Sequence, residues 1–113
     1  MSAVYGLAVL DDRVRIADRV VLRALGWSAG LRLMIDESRG LLVIYPDAGG
    51  AAQVTGQGHL RVPAPLRHRC GLRSSDRVLL AADPERHRLV VYPPAALDAL
   101  LSHPLDSMDG ASA

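Results

Sequence analysis

All thirteen basic residues of this chain are arginines; there is no lysine. A guanidinium is planar and permanently charged, and it carries five donors in a fixed fork. It therefore suits phosphate and base-edge contacts better than an ammonium does. GC-rich codon usage also favours arginine, so position says more than identity. Between His59 and Arg77 stand Arg61, Arg67, Arg69, Arg73 and Arg77 against Asp76 alone. From Asp98 onward stand Asp98, Asp106 and Asp109 and no arginine. The formal net charge of +1 names no partner, and it hides a chain polarised along its length.

The other reactive side chains point to little chemistry. Four histidines and Cys70 show no usual zinc-ligand spacing, and Cys70 reads as a small buried hydrophobe. Ser74-Ser75-Asp76 and Asp11-Asp12 read as polar turns, not as an activated nucleophile or paired acids. Gly49-Gly50 and Gly56-Gln57-Gly58 lack the spacing and the lysine of a phosphate-binding loop. The expectation is a protein that does no catalysis and needs no metal or cofactor.

The elements that must position the arginines are short. Val4 to Leu10 reads as a strand, followed by the Asp11-Asp12 turn. Arg13 to Ala17 alternates polar with apolar, as a half-buried strand does, which puts Arg13 and Arg15 on one face. Asp18 can cap a helix that runs to Leu25 and stops at Gly26. Leu31–Ile35 and Leu41–Tyr45 form a hairpin, and Pro46 ends it. Asp47 to Ala52 reads as a flexible connector. Then come Gln53–Thr55, the glycine turn, the strand His59–Val62 with His59 and Arg61 on one face, and a helix over Ala64–Cys70. Strands Arg77–Ala81 and Arg88–Tyr92 follow. Pro93-Pro94 opens a helix over Ala95–Leu101, and His103 to Ala113 reads as a frayed acidic tail. Half of the residues are apolar, so a core is affordable without disulfides, and the single cysteine allows no internal one. No apolar run is long enough to span a membrane, and no signal peptide is evident, so the expected compartment is the cytoplasm.

The two halves repeat. Arg13–Ala17 matches His59–Pro63 at a displacement of 46, Arg32–Ile35 matches Arg77–Leu80 at 45, and Leu42–Pro46 matches Leu89–Pro93 at 47, each of the last pair ending in Tyr-Pro. Gly26 faces Gly71, and Trp27 aligns with Leu72 as a core residue. The implied organisation is a diverged first repeat over 1–47, a linker over 48–53, a second repeat over 54–93, a helix over 94–102 and a tail over 103–113.

The stretch Gly58-His59-Leu60-Arg61-Val62-Pro63, the helix Leu66-Arg67-His68-Arg69-Cys70-Gly71-Leu72 and the following Asp76-Arg77-Val78 resemble the AbrB/MazE/SpoVT group. The family's arginine after glycine is His59 here, and its glycine before aspartate is Ser75; the first copy keeps that glycine as Gly30 but has Leu31 and Ala17 for the aspartate and proline. Tandem copies also resemble the MraZ-type regulators. The resemblance implies a mainly β fold with short helices, a swapped-hairpin β-barrel built from two tandem ββαββ repeats plus a C-terminal helix. It implies a bacterial transcription regulator or antitoxin half that binds double-stranded DNA.

On that reading Arg13, Arg15, His59 and Arg61 lie on one side of the barrel, flanked by Arg23, Arg67 and Arg69, and contact phosphates or the major groove. A homodimer is expected, with Leu97, Leu100 and Leu101 on the last helix as its contact. The other reading is a protein-interaction module, antitoxin-like or an assembly adaptor, that keeps the barrel with little DNA readout and binds a toxin or another regulator.

Overall fold

A computed structural model describes residues 3–112. It contains β1 (Val4–Val9), β2 (Arg15–Ile16), α1 (Arg19–Leu25), β3 (Arg32–Ser38), β4 (Leu41–Pro46), β5 (Ala52–Gln53), β6 (Leu60–Arg61), α2 (Ala64–Cys70), β7 (Arg77–Asp83), β8 (Arg88–Tyr92) and α3 (Pro94–Ser112). The fold is mainly β. Six strands form one antiparallel sheet in the order β1-β7-β8-β4-β3-β5, and β2 pairs with β6 in a separate ladder. The expected closed barrel is therefore corrected: among the described residues the sheet has two free edges, β1 and β5.

The long pairings join the two halves of the chain. β1 runs along β7 with Val4 opposite Ala82 and Val9 opposite Arg77, and β4 runs along β8 with Val43 opposite Val90. Period-two alternation then sends Val78, Leu80, Ala82, Leu89, Val91, Leu42, Ile44 and Leu33 to one face, where all are buried. Helix α1 lies on β1 and β7 and adds Val21, Leu22 and Leu25 to the same cluster, together with Trp27, Ile16, Val54, Leu60, Val62 and Leu72. One core thus draws on both halves. Trp27, expected in the core, is there.

Helix ends follow from single residues. The Asp18 carboxylate accepts the Val21 N–H at 3.0 Å and caps α1. Gly26 and Gly71 close α1 and α2 in the left-handed region, and the N–H groups of Trp27 and Leu72 reach back to the carbonyls of Leu22 and Arg67 at 3.0 and 2.8 Å.

The loops between halves are tied in matching ways. The Leu10 N–H donates to the Asp76 carbonyl at 2.9 Å, and the Leu10 carbonyl accepts the Ser75 N–H at 2.8 Å. The Val54 N–H donates to the Leu31 carbonyl at 3.0 Å, and the Val54 carbonyl accepts the Gly30 N–H at 2.8 Å. Both Gly30 and Ser75 hold positive φ, 89° and 70°. A serine side chain strains there by about 1–2 kcal/mol, of which glycine's extra unfolded-state freedom offsets about half. Ser75→Gly should therefore raise stability by about 0.5–1 kcal/mol. The check is a higher denaturant midpoint at unchanged m-value.

Two sequence expectations need correction. Asp47 to Ala52 is not a loose linker: Gly50 is buried against the Leu33 carbonyl, and Ala52 begins β5. The last helix does not stop at Leu101: α3 continues to Ser112 with Pro104 inside it, so the expected tail is helical up to that residue, and Ala113 lies outside the described residues. Proline removes one N–H bond to the Leu100 carbonyl, but Leu100 is exposed, so water can replace that bond. From Asp98 to Ser107 every residue of α3 is exposed. The helix projects from the body, which explains a radius of gyration of 14.8 Å against about 13 Å expected for a compact chain of this length.

Candidate nucleic-acid interface

The β2–β6 ladder places Arg15 directly opposite Arg61 and Ile16 opposite Leu60. Opposed residues share a face. Ile16 and Leu60 are fully buried, so the two arginines occupy the outer side. The sequence reading brought these two together, and the structure does so.

The rest of that set is placed differently. Arg13 is not on a strand; it is exposed in the turn that precedes β2. Val14 holds φ 55°, rare for a β-branched residue, and this breaks the alternation that put Arg13 and Arg15 on one face. The turn has its own anchor: Asp11 Oδ1 accepts the N–H groups of Arg13 and Arg15, each at 2.9 Å. His59 is half-buried; its N–H donates to Thr55 Oγ1 at 3.0 Å, and its Nδ1 is enclosed without a hydrogen-bond partner.

These turns bond alike, at a spacing other than the 46 read from the sequence. The Arg15 and His59 carbonyls accept the N–H of Asp11 and Thr55, and the Asp11 and Thr55 carbonyls accept the N–H of Val14 and Gly58. The turn bonds are alike at a spacing of 44, with Arg15 and His59, not Arg15 and Arg61, in the same role. Alternating strands read equally well two residues out of step; only the turn bonds decide.

The two opposed arginines differ in freedom. Arg15 Nε donates to Asp11 Oδ2 at 2.7 Å and Nη1 to Gln57 Oε1 at 3.1 Å. Its side chain is 18% exposed, held between the two turns. Burial would raise the Asp11 pKa, but the backbone and side-chain bonds from Arg15 and the bond from Arg13 outweigh it and hold the carboxyl below its ordinary 3.8. Arg61 is exposed and, among the described residues, has no hydrogen bond or ion pair. Arg15→Ala should therefore lower the melting temperature, while Arg61→Ala should move stability by no more than about 0.5 kcal/mol. A carboxyl with a depressed folded pKa contributes stability above pH 3.8 that is lost as pH falls through its folded pKa. The Arg15→Ala deficit should accordingly shrink on acidification below that value, which thermal melts from pH 7 to pH 3 would show.

A cleft of about 470 Å³ beside the ladder is lined by Arg19, Leu22, Arg23, Gly26, Trp27, Ser28, Gln57 and Gly58. It joins expected Arg23 to two residues that sequence reasoning missed. Arg19 lies one helical turn before Arg23, a spacing that could have flagged it. Gln57 had no signal beyond its place in a Gly-Gln-Gly turn. The Trp27 Nε1 is enclosed there without a partner. Arg67 and Arg69 sit in the last turn of α2, Arg67 half-buried with its Nε unpartnered and Arg69 exposed, and among the described residues no hydrogen bond joins either to the ladder. Burial pushes the Cys70 thiol pKa upward, so at neutral pH it is the protonated, weakly nucleophilic form. No protein-family model, curated protein or solved structure matches the chain.

Proposed function

We propose that the chain is a sequence-specific regulator that binds double-stranded DNA through the β2–β6 ladder and the adjoining N- and C-terminal ends of α1. The carrying observation is the outward Arg15–Arg61 pair, of which Arg15 is neutralised by Asp11 while Arg61, among the described residues, has no ion-pair partner. With Arg15 already compensated by Asp11, the Arg61 guanidinium is the group left to take an external anion, and a duplex offers phosphates in a row. Arg19 and Arg23 extend the positive surface across the cleft. The matched turn bonds and loop ties at a spacing of 44–45 support two diverged units that exchange hairpins, as the AbrB-like resemblance implies.

Fluorescence anisotropy with a random-sequence labelled duplex tests this. Binding at 50 mM salt that weakens steeply by 200 mM is expected, because each phosphate contact releases counterions. No binding at 50 mM would refute it.

The second reading, a protein-interaction module, is favoured by the apolar side chains exposed on β1 and α3. It gains ground only if duplex binding fails.

A further inference from the structure

The face of the sheet turned away from the core is also apolar. Tyr5, Leu7 and Val9 of β1 are 67%, 69% and 58% exposed, and Leu79 and Ala81 lie beside them on β7. β1 is an edge strand with no charged residue and no proline, the features by which edges are normally protected. A second apolar surface stands on α3. Leu97, Leu101 and Leu105 recur at intervals of one helical turn with Leu100 beside them, and the last three are 51%, 46% and 61% exposed for Leu100, Leu101 and Leu105.

We propose that these two surfaces cover each other between two copies of the chain. The leucine stripe of α3 in one copy lies over Tyr5, Leu7 and Val9 of the other, reciprocally about a two-fold axis. The lengths match. Leu97 to Leu105 spans about 12 Å along a helix, and Tyr5 to Val9 about 13 Å along a strand. The charges match as well. The helix flank carries Asp98 and Asp106, and Arg77 is exposed directly across from Val9. Asp83, the carboxylate at the far end of that face, is already paired with Arg86 at 3.7 Å. The six exposed side chains present on the order of 600 Å² per copy, at roughly 150–200 Å² each, near the ~800 Å² per partner of a standard interface. Helix α3 touches its own β7 and β8 and leaves the body by Asp98, so its stripe is open to a partner. The expected leucine contact is thus given its receiving surface, which is not another α3.

Light scattering on the full chain at micromolar concentration tests this. The wild type should show the mass of two chains. Leu7→Arg and Leu101→Glu should each weaken the dimer by about 100-fold and show the mass of one chain, with unchanged far-UV circular dichroism. Mixing the two variants should restore the two-chain mass, because one contact is then wild type and the other pairs the new charges. Contacts of β1 with β1, or of α3 with α3, give no such rescue. Val9→Arg and Leu105→Glu form a second pair should either first variant misfold. A one-chain wild type, dimeric single variants or an unrescued mixture would each overturn the proposal.

Discussion

Gly50→Ala is expected to destabilise the protein by at least about 3 kcal/mol, a fall in melting temperature of more than about 10 °C. The added methyl would overlap the Leu33 carbonyl and stand 2.9 Å from the Met34 nitrogen. These are backbone atoms of β3, a strand paired on both sides, so they cannot rotate out of the way as a flexible side chain could. Gly50 also donates its N–H to the Asp47 carbonyl at 2.9 Å, and its own carbonyl accepts from Arg32 at 3.3 Å, which pins the turn that starts β5. Gly49→Ala is the control. The only atom near its new methyl is the Asp47 carboxylate oxygen at 3.4 Å, an ordinary distance, so its cost should stay near 1 kcal/mol or below. Thermal melts of the two variants side by side give the comparison. Equal midpoints would show that the turn yields and that Gly50 is the loose linker the sequence suggested.

The second large effect is on duplex binding. In Arg23→Ala/Arg61→Ala, both removed side chains are exposed and, among the described residues, neither has a hydrogen bond or ion pair, so folding should be unaffected. If both guanidiniums contact phosphate, the slope of log K against log salt becomes shallower by roughly 1.8 per chain. If they read base edges, the slope stays and discrimination between sites falls by about 1–3 kcal/mol per contact. Arg15 is left out of this variant on purpose: its Asp11 and Gln57 bonds make it part of the scaffold, and its loss would mix stability with affinity. Unchanged affinity and slope would remove Arg23 and Arg61 from the interface.

Much of the local structure was legible in residue types, because its causes are local. Asp18 announces a helix start, Gly26 and Gly71 announce helix ends, and alternation over Arg77–Ala81 and Arg88–Tyr92 shows which residues face the core. That Arg15 and Arg61 lie on the polar faces of their strands also followed from pattern, but alternation leaves the register open, and the folded ladder sets them opposite each other. What the sequence left open depends on turn geometry and on atoms distant along the chain. Val14 takes a left-handed φ because the Asp11 turn holds it, and that one dihedral removes Arg13 from the strand. Gly50 looks like a linker glycine until β3 is folded against it. The helix that reads as ending at Leu101 runs on through Pro104, and Leu100, whose carbonyl the proline leaves without an N–H, is exposed. The sheet stays open with β1 at its edge, because closure depends on pairing geometry across the whole fold. Residue type and spacing determined which side chains are buried and which are charged; tertiary structure decided which arginine is held, because Arg15 sits where the Asp11 turn meets Gln57 of the facing turn, while Arg61, among the described residues, has no such partner.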